Sequence, residues 1–275
     1  MLALDLDGTL LNSAKQVTPS TCEALRRYVA AGGRIVFVTG RNLPVARGIA
    51  QGLPFPVALV THNGAIAEDA DGTRFYERYL PEEAVAGLIR RARAEEFHPF
   101  LYALEPEGVR LRHQGPSHHP VLERYFRSNA SVLKPVGELW PRDGVPRRAI
   151  QIVAIEPARR VQDALKRLPA TPEVRWYTSG GLLNGEYWFL EGAHPEATKE
   201  RALKALCDRW RISLAQVAAV GDNLNDLGLF RTVGRAIAVA NAPEPVRRAA
   251  KWLVPSNDAD GVAVAVARLL TEADR

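Results

Sequence analysis

The sequence predicts an α/β fold: a doubly wound (Rossmann-like) parallel sheet core with an inserted α+β domain. Four short apolar segments, at residues 2–9, 34–41, 57–64 and 217–226, are each followed by a polar turn that contains glycine. Their apolar runs do not alternate with polar residues, which is expected of strands covered on both faces. Helical patterns lie between these segments, and residues 81–190 interrupt the regular alternation of strand and helix.

The first predicted strand, LALDLDGT at residues 2–9, carries Asp5 and Asp7 among its leucines. Side chains two residues apart project to the same side of an extended chain, so both carboxylates should converge where the strand ends. Two carboxylates at short range in a low dielectric repel, and we expect a metal ion or hydrogen bonds to compensate. From this segment alone, a strand end with two solvated acids is an equally good interpretation.

The remaining elements of the core follow in order. Residues 18–33 predict a helix that begins at a Ser20 or Thr21 cap and ends at the Gly32 and Gly33 pair. Residues 198–210 repeat apolar side chains at spacings of three and four, which indicates a second amphipathic helix. Beyond the last polar turn, the segments AIAVAN, VRRAAKWLV and DGVAVAVARLL predict a strand, a helix, a short strand and a terminal helix.

Residues 81–190 predict a separate domain. They contain pairs of short strands and two or three helices, a succession typical of an α+β module. We therefore assign residues 1–80 and 191–275 to the core and residues 81–190 to an insertion within it.

Composition and charge limit the classes of function. The 275 residues are 47% hydrophobic, enough for one large or two ordinary domains. No run approaches the roughly 18 apolar residues of a membrane span, and no leader precedes the first strand, so we expect a cytoplasmic protein without a membrane partner. The net charge of +5 permits nucleic-acid binding, but no run of basic and aromatic residues supports it. Cys22 and Cys207 indicate neither a disulfide framework nor a thiolate metal site.

The polar turns should face one crevice, because ligands of such sheets bind beyond the carboxyl ends of the strands. The residues that we expect there are Asp5, Asp7, Thr9, Thr39, Arg41, Lys199, Asp222, Asn223, Asn225 and Asp226. Four carboxylates require a cation, and oxygen ligands without cysteine favour Mg²⁺. Thr39, Lys199 and backbone N–H groups suit the oxygens of a phosphate. The set predicts phosphoryl transfer with Mg²⁺ as the cofactor.

The motifs DLDGTLL, VTGR, an isolated Lys199 and GDNLND, in this order, closely resemble the four motifs of the haloacid dehalogenase-like superfamily. The insertion between the second and third motifs resembles the Cof-type subfamily with an α/β (type IIB) cap. This resemblance implies a Mg²⁺-dependent phosphatase that hydrolyses small phosphorylated metabolites, such as sugar phosphates or phosphorylated cofactors, through an aspartyl-phosphate. It also implies that residues 81–190 are a cap that sets specificity. We expect a monomer or a small homo-oligomer.

The resemblance implies a role for each residue of the site. Asp5 would be the nucleophile, and Asp7 would act as general acid and then base, a task for a carboxyl whose pKa lies well above that of free Asp. Asp5, Asp222 and the backbone carbonyl of Asp7 would bind the metal. The residues expected to bind the phosphoryl group are Thr39, Gly40 and Lys199. Those expected to support the site are Thr9, Arg41, Asn63, Asn225 and Asp226, the last two by holding metal-bound water or Lys199.

Several alternatives stay open. Arg41 suits a substrate contact and an ion pair with a nearby acid equally well, and Asn63 suits a structural cap of its own turn. The same residues would serve a phosphotransferase or sugar phosphomutase of this superfamily, in which a group other than water accepts the phosphoryl group. A receiver-like phospho-switch also combines acids, a threonine and a lysine, but it is much shorter and carries its phosphorylated aspartate on a middle strand.

Overall fold

The computed structural model of the protein describes residues 1–115, 120–143, 147–168, 171–182 and 185–273. The chain forms two compact units, one of Met1–Glu77 with Thr198–Arg275 and the other of Arg78–Ala197. The second unit is longer at both ends than the 81–190 expected from the sequence. Leu80 N donates to Ala149 O within it, and its last strand continues to Ala193.

The elements are numbered in chain order. The strands are β1 (Leu2–Leu4), β2 (Ile35–Val38), β3 (Val57–Thr61), β4 (Ile66–Glu68), β5 (Arg74–Glu77), β6 (Phe100–Glu105), β7 (Gly108–His113), β8 (Leu133–Pro135), β9 (Arg148–Pro157), β10 (Arg175–Leu182), β11 (Tyr187–Ala193), β12 (Ala218–Gly221), β13 (Arg235–Val239) and β14 (Trp252–Val254). The helices are α1 (Pro19–Ala30), α2 (Leu43–Gln51), α3 (Glu82–Ala94), α4 (Pro120–Ser128), α5 (Ala158–Arg167), α6 (Lys199–Trp210), α7 (Leu227–Thr232), α8 (Glu244–Ala249) and α9 (Gly261–Ala273).

The first unit contains an eight-stranded sheet in the order β14-β13-β12-β1-β2-β3-β4-β5. The strands from β14 to β3 are parallel, which confirms the predicted doubly wound sheet. The antiparallel strands β4 and β5 extend it beyond the predicted strands. The chain order reverses between β1 and β12, which pair side by side from Leu2↔Ala218 to Leu4↔Val220. Ligands of such sheets bind at this reversal, beyond the carboxyl ends of the strands.

Threonine caps set the start of two helices of the first unit, α1 and α6. Thr18 Oγ1 accepts a hydrogen bond from Thr21 N at 3.1 Å, and α1 begins at Pro19. The prediction of a Ser20 or Thr21 cap is therefore wrong, because Pro19 has a helical φ and no N–H to leave unpaired, which suits the first position of a helix. At α6, Thr198 Oγ1 accepts from Arg201 N at 3.3 Å. This cap makes Lys199 the first residue of α6.

The second unit is built on a six-stranded sheet in the order β10-β11-β9-β6-β7-β8, antiparallel except for the β7–β8 pair. Successive residues of a strand face opposite sides of a sheet. Leu101 of β6 packs with α3 through Val85, whereas Phe100 contacts Phe126 of α4, with 5.6 Å between ring centroids. Helices therefore cover both faces, and the unit has the predicted α+β character.

The two cysteines are unpaired thiols, with Cys207 buried in the core and Cys22 half-buried. Within the described ranges, none of the helices is both long and apolar enough to cross a membrane.

Candidate active site

Three carboxylates meet where the sheet order reverses, and we call them the acid cluster (Asp5, Asp222 and Asp226). Asp5 directly follows β1 and Asp222 directly follows β12, while Asp226 lies one turn further on. Each residue offers an oxygen within 4.8 Å of the oxygens offered by the other two. Asp226 is completely buried and Asp5 is only 7% exposed. Two segments more than 200 residues apart in the chain thus supply one set of acids.

Lys199 joins two members of the acid cluster. Its Nζ lies 2.6 Å from Asp5 Oδ1 and 2.7 Å from Asp226 Oδ1. The second oxygen of Asp226 accepts from the backbone N–H groups of Asp222 and Asn223, at 3.2 Å and 3.1 Å. Asp226 therefore holds both the lysine and the turn that carries Asp222.

The electrostatics of the acid cluster indicate a shortage of positive charge. Burial, together with the charges of Asp226 and Asp222, raises the pKa of Asp5 well above its ordinary value against the opposing effect of Lys199. Burial and the charge of Asp226 raise the pKa of Asp222 to about 6. For Lys199, burial alone would lower the pKa, but the charges of Asp226 and Asp5 outweigh it and raise the pKa.

The acid cluster fits a divalent cation. One ammonium group faces three carboxylates, and a second positive group would relieve the repulsion that raises the pKa values of Asp5 and Asp222. Oxygen donors of this kind suit Mg²⁺.

Gly8 and Thr9 fix the position of Asp222. Thr9 Oγ1 donates to Asp222 Oδ1 at 2.8 Å. Gly8 has a φ of +77°, and a Cβ at this position would lie 2.5 Å from Asp222 Oδ2. The turn after β1 therefore requires glycine for two reasons, its left-handed backbone and its close approach to this carboxylate.

Asp7 lies outside the acid cluster and has different partners. Arg41 donates to both of its oxygens, from Nε at 2.6 Å and from Nη2 at 2.7 Å, and Lys15 Nζ is 2.8 Å from Oδ1. Burial alone would raise the pKa of Asp7, but the hydrogen bonds and charges of Arg41 and Lys15 lower it to about 2. The expectation of a pKa well above that of free Asp is wrong for this state of the protein.

Two of the three predicted phosphate-binding residues, Thr39 and Gly40, directly follow β2. Thr39 is buried and its N–H donates to Val60 O, so only its hydroxyl is left for a phosphate oxygen. That hydroxyl accepts from Arg41 N at 3.1 Å and can still donate its own hydrogen. Gly40 is exposed, and its N–H has no acceptor among the described residues.

The THNG turn after β3 connects the second, third and fourth motifs. His62 and Asn63 both have positive φ, at 51° and 53°. Asn63 N donates to Thr39 O, and Asn63 Oδ1 accepts from Asn225 Nδ2 at 3.1 Å. The side chain of Asn63 therefore reaches the fourth motif.

Gly64 brings the same turn against the start of α6. A Cβ on this glycine would lie 2.2 Å from the carbonyl of Thr198, so the backbone of the turn is in direct contact with the residue before Lys199.

The structure also identifies a residue that sequence reasoning missed. Lys15 has a φ of 62° in the loop after the first motif and contacts Asp7. No motif marks it, and the loop conformation that aims its side chain is not readable from spacing. For Arg41, the ion pair with Asp7 is the arrangement observed, of the two that the sequence left open.

Comparisons with known proteins point to one family. The family of haloacid dehalogenase-like hydrolases matches residues 2–266. Phosphatase YwpJ of Bacillus subtilis (strain 168) is 27% identical over 290 residues, covering 98% of this chain and 99% of that protein. The 5-amino-6-(5-phospho-D-ribitylamino)uracil phosphatase YwtE of the same organism is 25% identical over 290 residues, covering 98% of each chain.

Solved structures agree with the sequence relatives. The crystal structure of a haloacid dehalogenase-like hydrolase from Bacteroides thetaiotaomicron superposes with a TM-score of 0.81 at 26% identity, covering 98% of both chains. The resemblance drawn from the four motifs is confirmed, and this chain belongs to the family of haloacid dehalogenase-like hydrolases.

Proposed function

We propose that this chain, a phosphatase of the haloacid dehalogenase-like family, is a Mg²⁺-dependent enzyme that hydrolyses small phosphorylated metabolites through an aspartyl-phosphate at Asp5. The observation that carries the proposal is the environment of Asp5. Its carboxylate is buried, lies 2.6 Å from Lys199 and belongs to an acid cluster at the reversal of the sheet order. In the proposed enzyme, this arrangement would bring a nucleophile, a fixed positive charge and oxygen ligands for a metal together.

In the first step, a carboxylate oxygen of Asp5 forms a bond to phosphorus while the bond to the leaving oxygen breaks. Asp7 gives its proton to that oxygen, so the leaving group departs as a neutral alcohol. In the second step, a water molecule attacks phosphorus and returns a proton to Asp7, and the bond to Asp5 breaks. Covalent catalysis thus divides one slow hydrolysis into two faster reactions.

Charge stabilisation comes from groups that are already in place. Lys199 faces the charge that the phosphoryl oxygens carry, and the Thr39 hydroxyl and the Gly40 N–H donate to them. Mg²⁺, when bound by Asp5, Asp222 and the backbone carbonyl of Asp7, would supply further positive charge. Because the transition state is loose, this positioning matters more than the basicity of Asp5.

The ion pair of Asp7 implies a step before chemistry. In the structure, both oxygens of Asp7 accept hydrogen bonds from Arg41, and its pKa of about 2 keeps it ionised. A dianionic phosphate beside Asp7 would raise its pKa, because like charges disfavour the carboxylate. Substrate binding would therefore prepare Asp7 to act as an acid.

We further propose that residues 1–80 and 191–275 form the catalytic core and that residues 81–190 form the cap that sets specificity. The second compact unit, Arg78–Ala197, contains the whole of that cap. The YwtE relative is a 5-amino-6-(5-phospho-D-ribitylamino)uracil phosphatase, and its small phosphorylated substrate supports this substrate class.

Replacement of Asp5 by Asn tests the nucleophile. The variant should keep the fold and lose turnover of an aryl phosphate in Mg²⁺, because an amide does not displace the leaving group. Asp71→Asn, the same change at an exposed turn residue, is the matched control and should keep wild-type activity. Near-normal turnover by Asp5→Asn would show that Asp5 is not the nucleophile.

Free phosphate separates hydrolysis from phosphoryl transfer to another acceptor. The wild-type protein should release phosphate from the aryl phosphate in proportion to the phenol formed. Formation of phenol without phosphate, with the phosphoryl group on an added sugar or retained on the protein, would favour the phosphotransferase or mutase alternative.

A further inference from the structure

Two asparagines connect the carboxyl-terminal part of the first unit to the loop that follows β1, and we call them the asparagine bridge (Asn241 and Asn257). Asn241 lies just beyond β13, and its Nδ2 donates to Gly8 O at 2.8 Å. Asn257 lies beyond β14, and its backbone N–H donates to Asn241 Oδ1 at 3.1 Å. Its side-chain Nδ2 donates to Leu11 O at 2.9 Å.

The partners of Asn241 fix the orientation of its amide. The backbone N–H of Asn257 can only donate and the Gly8 carbonyl can only accept, so the oxygen of Asn241 must face Asn257 and its nitrogen must face Gly8. The asparagine bridge therefore donates one hydrogen bond, from Asn241 Nδ2, to the carbonyl of the peptide between Gly8 and Thr9. Among the described residues, Asn241 is the partner of that carbonyl.

That peptide lies directly against Asp222. Gly8 approaches the carboxylate so closely that a Cβ would lie 2.5 Å from Oδ2, and the Thr9 hydroxyl donates to Oδ1 at 2.8 Å. Gly8 and Thr9 thus contact one oxygen each of Asp222. The peptide that joins these two residues is the one whose carbonyl accepts the hydrogen bond from Asn241. A rotation of this peptide would displace both contacts together.

We propose that Asn241 is a positioning residue for the cation site: through the Gly8 carbonyl it sets the orientation of Asp222. The inference rests on the proposed function, since it assumes that Asp222 binds the metal. Groups that hold metal ligands in place, without touching the metal, commonly change metal affinity by about 10–100-fold when removed.

The loop after β1 has other hydrogen bonds besides that of Asn241. They allow an experiment to distinguish a positioning role of Asn241 from simple attachment of this loop. The same loop is also held at Leu11 O by Asn257 and at Ser13 by Asp258, whose oxygens accept from Ser13 N at 2.7 Å and Ser13 Oγ at 2.6 Å. Loss of the Asn241 side chain should leave the loop attached. Asn257→Ala removes one hydrogen bond to the same loop but keeps the backbone donor to Asn241, which makes it the matched control.

The test is calorimetric titration of metal-free protein with Mg²⁺, together with thermal melting. Asn241→Ala should bind Mg²⁺ about tenfold more weakly than wild type, whereas Asn257→Ala should stay within about threefold. At saturating Mg²⁺, the kcat of Asn241→Ala should return toward the wild-type value. If the alanine variant does not fold, Asn241→Ser serves in its place, because its hydroxyl ends one bond short of the amide nitrogen.

The outcomes are distinguishable. Equal Mg²⁺ affinity of wild type and Asn241→Ala would overturn the inference and leave the proposed function intact. Equal weakening in both alanine variants, with matching losses of melting temperature, would mean that the bridge only attaches the loop and would also overturn it. No uptake of Mg²⁺ by the wild-type protein would overturn the proposed function, and this inference with it.

Discussion

Replacement of Lys199 by Met should destabilise the metal-free protein strongly. The ammonium group lies 2.6 Å from Asp5 Oδ1 and 2.7 Å from Asp226 Oδ1, and the side chains of Lys199 and Asp226 are 1% and 0% exposed. Met has a similar length but no charge, so the substitution leaves these carboxylates buried without their cation. Removal of one partner from a buried ion pair costs about 3–5 kcal/mol.

This cost predicts a large change in melting temperature. At about 2–4 °C for each kcal/mol in a protein of this size class, the melting temperature of Lys199→Met should fall by roughly 10 °C in the presence of EDTA. The assay is thermal unfolding followed by circular dichroism. A second substitution, Asp226→Asn, should restore part of the loss in the Lys199→Met background, because it removes one of the carboxylates left without a partner.

Lys204→Met is the matched control, since it makes the same change on the same helix. Lys204 and Asp208 form an exposed pair whose side chains are 60% and 66% exposed, and such pairs contribute about 0.5 kcal/mol. The control should therefore melt within about 2 °C of wild type. If Lys199→Met melts as close to wild type as the control does, the buried ion pairs of Lys199 do not stabilise the protein.

Three further predictions follow from the same site. Gly8→Ala should lower both stability and activity, because the new methyl group meets Asp222 and the left-handed backbone disfavours alanine; thermal melting and phosphate release measure the two losses. Arg41→Gln should raise the pKa of Asp7 from about 2, because Lys15 would then be the one charged group left to oppose the effect of burial. Carboxyl NMR titration of the metal-free protein measures this pKa, and an unchanged value would show that Arg41 does not lower it. The pKa of Asp222 is raised from 3.8 to about 6 in the folded state, so its contribution to the stability of metal-free protein is present below pH 4 and is lost as the pH rises through 6. Melting curves in EDTA at several pH values should show a smaller loss in Asp222→Asn than in wild type, since the raised pKa of Asp5 still contributes in the variant.

The central sheet was predictable because its signals are local and repeat. Buried parallel strands such as β2 and β3 are short apolar runs, and each is followed by a turn with a distinctive sequence. Their carboxyl ends must lie at one edge of the sheet, which is why Asp5 and Asp222 could be expected to meet. The antiparallel strands β4 and β5 escaped prediction because their sequences, IAE and RFYE, contain charged residues and lack the continuous apolar run of the parallel strands.

The partners of Asp7 could not be predicted from motif spacing. Arg41 and Lys15 reach this carboxylate from a strand end and from an irregular loop, and the direction of a side chain on a loop depends on backbone angles that no periodic pattern encodes. The same limit applies to Asn241, whose contact with Gly8 joins residues 233 positions apart. Sequence patterns indicate which strand ends bear the polar and charged side chains of the site. The charge state of each of those side chains depends on neighbouring residues in loops.

The most direct test of the account asks whether Asp5 carries the phosphoryl group. Protein mixed rapidly with substrate and Mg²⁺ is quenched in acid, reduced with borohydride, digested and analysed by mass spectrometry. Borohydride converts an aspartyl-phosphate into homoserine, and we expect homoserine at position 5. Homoserine at another aspartate, or a phosphoryl group recovered on a different side chain, would contradict it.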